Sequence, residues 1–411
     1  MFKKIYLTII LSLIVFSSAK LEVLAKTPDR FIKTNISSDL YDISQYESLD
    51  QYTKNYRKYI NQYRPHISKI EIERIAPFSI DSGNNCSKKD GFVLIHGLSD
   101  SPFSMFDIAN SIAKNNACTI INVPILPGHT LIPGASLEAT NEDWISTVKF
   151  AVDDLKSRKA NSITIAGFST GGALALNYVL SNYSQAKNMK LILLSPSLDL
   201  DLPWYEVLAL KIMTLIGNIK NSFAYLKKFD DSSPYRYESF SFKGTNELYE
   251  LTKKNEAFIK KIGLIKNPTF IAASTADSTI DIYETLAFLE KNFTNIRGII
   301  YDNNNIFANN GLIVERSQNL SQKIIDLSHI SIPFSFKNPI FGKYAKINYG
   351  CLHYEKNNLE KFYECRKFNS DFYYGETNSE NKKKYPKISR ITYNPQYEEL
   401  EVMVLDFIKN R

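Results

Sequence analysis

The sequence predicts an α/β protein in which a mostly parallel central sheet carries helices on both faces. Short, almost wholly apolar runs recur from Gly91 onward: Phe92–His96, Thr119–Val123, Ser162–Ala166, Leu191–Leu194, Thr269–Ala273 and Gly298–Tyr301. Stretches with helical periodicity separate most of them, namely Met105–Lys114, Asn141–Leu155, Gly171–Ser181 and Ile280–Asn292. Strands buried on both faces read as continuous apolar runs, and their alternation with helices is the pattern of a covered parallel sheet. The composition agrees. With 44% hydrophobic and 23% charged residues over 411 positions the chain can bury a large core, and no strict repeat or sustained heptad points to collagen or a coiled coil.

The N-terminus reads as a targeting segment. Lys3 and Lys4 precede the apolar run Ile5–Phe16, which ends in Ser17-Ser18-Ala19. A basic start, a short apolar run and small residues define a signal peptide, here 1–19 with cleavage after Ala19, and the run is short for a membrane span. The alternative is an uncleaved N-terminal membrane anchor. The chain is therefore expected to be exported. Export admits disulfides, and Cys86, Cys118, Cys351 and Cys365 form an even set compatible with two bridges. No C-x-x-C pair occurs, so no metal site is expected. The net charge of +7 is spread along the chain, which describes a solvated surface and not a nucleic-acid partner.

Residues 20–90 form a polar N-terminal region expected to pack on the core, with a Tyr-rich amphipathic helix over Tyr46–Tyr63 that ends at Pro65. The core spans 91–198 and 267–411. It closes with the helix Tyr397–Lys409, whose Leu400, Val404, Phe407 and Ile408 make one apolar stripe. Between these two parts, 199–266 is too long for a simple crossover and reads as an inserted helical cap. Within it Trp204–Ile219 is helical and apolar nearly all round. Either this helix packs on the main domain, or Trp204, Leu208, Ile212 and Leu215, spaced by three or four residues, line an acyl-chain pocket.

The chemistry lies at three turns that follow strands. The first is Gly167-Phe168-Ser169-Thr170-Gly171-Gly172, a G-x-S-x-G between a strand and a helix. A serine on so sharp a turn is lifted clear of the backbone, and glycine stands two residues to each side because side chains there would collide. The second is His96-Gly97-Leu98-Ser99-Asp100-Ser101-Pro102. Acyl transfer needs two backbone N–H groups for the developing oxyanion; Thr170 supplies one, and Leu98, just after Gly97, is the candidate for the other. His96 reads as structural. The third is Ser274-Thr275-Ala276-Asp277-Ser278-Thr279-Ile280-Asp281. An acid here can orient a histidine. Asp277 is the candidate, Asp281 the alternative, and Asp281 also suits a helix N-cap.

These residues resemble the α/β-hydrolase fold, close to its capped carboxylesterase and monoacylglycerol-lipase-like branch. The likeness runs from about Phe92 to Arg411. It rests on the His96–Pro102 loop, Leu126-Pro127-Gly128-His129, the Gly167–Gly172 turn, Leu194-Ser195-Pro196, the Asp277 turn, and Ser328-His329 followed by Tyr349-Gly350-Cys351-Leu352-His353-Tyr354. Thr130 stands where the family commonly has Gly, and an Asn-rich stretch, Asn303–Leu320, precedes His329.

The resemblance implies a serine hydrolase cleaving carboxylic esters, including lipid-like or monoacylglycerol esters, through an acyl-enzyme on Ser169 without metal or organic cofactor. It places the catalytic base after the last strand. His329 then follows a short extended run, Ile324–Leu327, and is the candidate base, with His353 as the alternative. It makes the strands after Cys86 and from Cys118 parallel neighbours, hence Cys86–Cys118, leaving Cys351–Cys365 as a local closure. The implied partner is a small-molecule or lipid ester, with peripheral membrane contact through the cap as an extension. Acyl transfer to an alcohol, a proline-type serine peptidase on the same fold and a non-catalytic binding protein are the other readings.

Overall fold

In the computed structural model the described residues are 29–34, 38–83, 86–230, 233–305, 312–368 and 371–410. The expected signal peptide, 1–19, lies outside them. Among the described residues no helix is long and apolar enough to cross a membrane.

Twelve strands occur among these residues: β1 (Phe78–Ser82), β2 (Asp90–Ile95), β3 (Thr119–Val123), β4 (Ile163–Phe168), β5 (Lys190–Leu194), β6 (Tyr225–Lys227), β7 (Phe240–Ser241), β8 (Thr269–Ser274), β9 (Ile296–Tyr301), β10 (Ile313–Glu315), β11 (Tyr373–Gly375) and β12 (Ile388–Arg390). Eight of them build one sheet in the order β1-β3-β2-β4-β5-β8-β9-β10. All neighbours in it are parallel except β1, which pairs antiparallel with β3. This is the α/β-hydrolase fold.

The alternation along each strand explains the apolar runs. On β2, Val93 and Ile95 face one core and Phe92 and Leu94 the other; on β5, Leu191 and Leu193 oppose Ile192 and Leu194. Side chains of successive strand residues point to opposite faces, so both sets must be apolar when both faces are covered. One face packs against the helices Asn141–Ser157, Thr170–Ser181, Phe242–Ile262 and Ile282–Asn292. The other packs against Phe106–Asn115 and Tyr397–Lys409, with Leu400, Val404 and Phe407 buried.

Two edge strands escape the sequence reading. β1 lies in the N-terminal region and has only intermediate burial apart from its exposed Asp81, so no apolar run marks it. β10 is three residues at the end of the Asn-rich stretch. The run Ile324–Leu327, expected as a short extended run, is buried but joins no sheet. Ile324 forms single bridges to Asn319 and Tyr374, and Ile325 N–H donates to Tyr374 O at 2.8 Å. Its backbone is taken up by β11, while Ile324 and Leu327 pack in the same core as Phe92 and Leu94.

The N-terminal helix spans Leu49–Tyr63, N-capped by Ser48. Its Tyr52 and Tyr56 hydroxyls donate to Ile125 O and His129 O at 3.1 and 3.0 Å, which fastens it over the Leu126–His129 loop. The segment 199–266 divides in two. The helix Phe242–Ile262 packs on the helix after Ser169, where Asn255 Nδ2 donates to Ala173 O at 2.9 Å. The helix Trp204–Ile219 stands further out, while the stretch joining β6 to β7 returns to the core with Tyr235 and Tyr237 buried.

Cys86 is bonded to Cys118 and Cys351 to Cys365, with Cα–Cα distances of 5.8 and 5.9 Å. The first joins the chain before β2 to the start of β3, whose ends are adjacent in the sheet. The second lies in a small lobe with the parallel pair β11–β12 and its own cluster of Cys351, Tyr354, Phe362, Cys365 and Phe372.

Candidate active site

Ser169 sits between β4 and the helix Thr170–Ser181 with φ 54° and ψ −117°. A non-glycine residue in this region carries strain of order 1–3 kcal/mol, held by packing on all sides. The glycines around it are sterically required. A Cβ on Gly167 would come 2.1 Å from the Gly171 backbone, and one on Gly171 would come 2.1 Å from Ile95 O. The turn points the serine out of the sheet's carboxyl edge and the following helix N-terminus at the same spot.

Two N–H groups flank this spot. Among the described residues, neither the Leu98 nor the Thr170 N–H donates to a backbone or side-chain acceptor. Gly97 lets the Leu98 loop come close, since a Cβ there would be 3.1 Å from Ser169 Cβ. An oxyanion needs N–H donors without internal partners.

The candidate acid Asp277 and the candidate base His329 meet at the same edge. His329 Nδ1 lies 2.6 Å from Asp277 Oδ2. The other carboxylate oxygen of Asp277 accepts from Thr279 N and Ile280 N at 2.7 and 3.1 Å, so the acid is held by its own turn. The His329 loop is tied down by Ser328 Oγ donating to Ile391 O at 2.6 Å and by Ser274 Oγ donating to Leu327 O at 2.8 Å. The His329 ring lies against Phe168, the residue before Ser169, with centroids 5.1 Å apart. Among the described residues Ser169 Oγ has one side-chain neighbour in hydrogen-bond range, Ser197 Oγ at 3.4 Å, and no bond to His329. Catalytic hydrogen bonds are often loose before substrate binds and tighten with it.

The other candidates fall elsewhere. Asp281 accepts from Tyr283 N and Glu284 N at 2.9 and 3.2 Å and caps the helix Ile282–Asn292. His96 is enclosed. Its Nε2 accepts from Leu126 N at 3.0 Å, and its Nδ1 lies 2.9 Å from Gly97 O. Burial and the neighbouring His129 hold its imidazole well below the usual range. His353 lies in the disulfide lobe against Tyr354, and burial pushes it down to about 3.

Trp204, Leu208, Ile212 and Leu215 do not line an enclosed pocket. They are 76%, 50%, 47% and 63% exposed. Their helix turns a different stripe inward, with Glu206, Leu210 and Gly217 buried. Gly217 packs so closely on the next segment that a Cβ there would meet Ala224 Cα at 2.7 Å.

Several neighbours of the site carry no sequence signal of their own. Asp100 is buried on the Leu98 loop, where a Cβ on Gly97 would be 3.0 Å from its Oδ2. Burial pushes its carboxyl up to about 6, against the pull of Arg236, His329 and Arg390. The segment 199–266 holds this loop in place, since Tyr237 N–H donates to Ser99 O at 2.7 Å and Ser101 Oγ donates to Tyr235 O at 2.6 Å. From the disulfide lobe Glu376 reaches the His329 loop and Arg390 the Asp277 turn. Ser197, one residue past Leu194-Ser195-Pro196, carries no motif of its own.

The sheet order and the serine at its elbow define an α/β-hydrolase. The chain belongs to the Hydrolase_4 family, described as serine aminopeptidase, S33, which matches residues 88–302. No curated protein sequence matches it. Among solved structures it is similar to a lipolytic enzyme of the metagenome-derived pair LipS and LipT, at 18% identity over 55% of this chain and 91% of that one, with a TM-score of 0.45. It is also similar to the monoacylglycerol lipase of Paleococcus ferrophilus, at 16% identity over 55% and 89% with a TM-score of 0.41. A soluble variant of the monoglyceride lipase of Saccharomyces cerevisiae gives 16% over 56% and 82% with a TM-score of 0.42.

Proposed function

We propose that this hydrolase is an exported serine esterase that cleaves carboxylic esters through an acyl-enzyme. The observation that carries the reading is the 2.6 Å approach of His329 Nδ1 to Asp277 Oδ2 at the sheet edge where the strained Ser169 emerges. Asp277 fixes the tautomer with the proton on Nδ1, which leaves Nε2 free to accept a proton. Ser169 Oγ attacks the ester carbonyl as its proton passes to Nε2. The carbonyl oxygen becomes an oxyanion between the Leu98 and Thr170 N–H groups. Collapse breaks the ester C–O bond, and the alcohol leaves with the proton returned from Nε2. Water repeats the sequence on the acyl-enzyme, releasing the acid and Ser169. Export is supported by the disulfides Cys86–Cys118 and Cys351–Cys365, which persist in oxidising compartments.

A peptidase is the second reading, favoured by one observation: the buried Asp100 carboxyl beside Gly97 and Ser169 is the kind of group that holds a substrate α-ammonium. The test is a panel of 4-nitrophenyl esters of increasing acyl length set against amino-acid 4-nitroanilides, with wild type and Ser169→Ala. Ser169-dependent ester turnover with inert anilides supports the esterase. Faster anilide turnover supports the peptidase.

A further inference from the structure

The disulfide lobe lies beyond the residues the family matches, yet two of its charged side chains reach into the site. Arg390 Nη2 donates to Thr279 Oγ1 at 2.9 Å and pairs with Glu376 Oε2 at 2.9 Å. The same Glu376 oxygen accepts the backbone N–H of His329 at 3.5 Å. One guanidinium nitrogen and one carboxylate oxygen thus join the turn two residues past Asp277 to the backbone of His329 itself. The Glu376 side chain is 1% exposed and that of Arg390 25%. Burying such a pair costs desolvation that its attraction barely offsets, so the pair is poor evidence for stability; its best-attested use is fixing register.

The lobe is built to present this pair. Glu376 directly follows β11 and Arg390 ends β12, and these two strands are parallel partners. Glu376 N–H donates to Asp326 Oδ1 at 2.6 Å, which fastens β11 to the segment leading into His329. Behind Arg390, Gly350 is so close that a Cβ would meet Arg390 O at 1.9 Å. Asn348 Nδ2 donates to Ser389 Oγ at 2.9 Å and to Cys365 O at 3.2 Å, so the Cys351–Cys365 bridge borders the same strand.

We infer that Glu376 and Arg390 are positioning residues: their ion pair clamps the Asp277 turn to the His329 loop and holds the imidazole where it can serve Ser169. The inference rests on the serine-esterase reading. Misplacing a base by about 1 Å costs on the order of 100-fold in turnover, so the clamp acts on kcat and not on substrate affinity.

The experiment compares wild type, Arg390→Met, Arg390→Lys and the double variant Glu376→Gln/Arg390→Met on 4-nitrophenyl butyrate, with melting temperatures alongside. Arg390→Met should lower kcat by about 10–100-fold with KM within about threefold. Arg390→Lys should recover most of the loss, because an ammonium can still bridge Thr279 and Glu376. Arg390→Met leaves Glu376 buried and unpaired, which endangers folding by itself. The double variant removes both charges and should melt near wild type while kcat stays at least about tenfold down. A double variant with wild-type kcat, or a lysine variant no better than the methionine one, overturns the clamp. Those results require a wild type whose turnover depends on Ser169; a wild type that hydrolyses no ester and takes no fluorophosphonate label overturns the esterase reading and the clamp with it.

Discussion

Asp277 Oδ2 lies 2.6 Å from His329 Nδ1, and the two side chains are 0% and 5% exposed. The two residues come from loops and lie 52 residues apart in sequence, each loop tied down by its own hydrogen bonds. A contact this short between groups this well covered belongs to a site that sets one imidazole in one orientation.

His329→Ala should abolish ester turnover in a folded protein, with kcat down by ~10⁴ or more. His353→Ala should leave turnover within about threefold and act on stability, because His353 packs in the lobe against Tyr354. Steady-state kinetics with circular dichroism checks both. A dead His353→Ala beside an active His329→Ala would reverse the assignment.

Asp277→Asn should cost ~10³–10⁴ in kcat by offering His329 the wrong tautomer. Asp281→Ala, at the cap of the helix Ile282–Asn292, should cost about 1 kcal/mol of stability and little turnover. Chemical denaturation and kinetics on the two variants separate an orienting acid from a capping one.

Much of this geometry is legible in the amino-acid sequence. The turn at Ser169 announces itself because its motif is contiguous, with Gly167 dictated by the Gly171 backbone four residues on, although Gly171 itself answers to Ile95 of β2; the β2 to β5 runs do so because both sheet faces are covered. Legibility fails where structure depends on partners far along the chain. β1 has no continuous apolar run because it is an edge strand. Ile324–Leu327 has a strand's composition, but its backbone pairs with the lobe. The helix Trp204–Ile219 is apolar all round, so periodicity could not choose its inner face; the close approach of Gly217 to Ala224 does. Glu376 and Arg390 show no motif, since their role exists only once β11 and β12 fold back over His329.

That helix gives a prediction of its own. Leu208→Ser and Leu215→Ser, at residues 50% and 63% exposed, should change stability by less than about 0.5 kcal/mol. Leu210→Ser, at 5% exposure, should cost several times more. Denaturant midpoints on the three variants provide the check. Equal losses at all three positions would show the outer stripe to be buried in solution.

His129 makes stability depend on pH. Burial pushes its imidazole down to about 4, against the pull of the Pro127 and Leu126 carbonyls. On acidification the unfolded chain binds a proton near 6.5, while the folded chain does so only near 4. Stability is therefore intact above about pH 6.5 and falls by about 3 kcal/mol as pH drops toward 4. Buried Asp326, pushed up to about 7 by desolvation, acts in the opposite direction, so the comparison must be made against His129→Gln. The gap between wild type and variant should narrow with acidification. A gap independent of pH would contradict the enclosed neutral imidazole.

The central claim is that Ser169 is the nucleophile, and covalent labelling with a fluorophosphonate probe tests it most directly. Wild type should take up one equivalent on Ser169, found by mass spectrometry of the labelled peptide, while folded Ser169→Ala takes up none and loses ~10⁴–10⁶ in kcat. Equal labelling of wild type and Ser169→Ala, or a label on another residue of the wild type, would contradict the account.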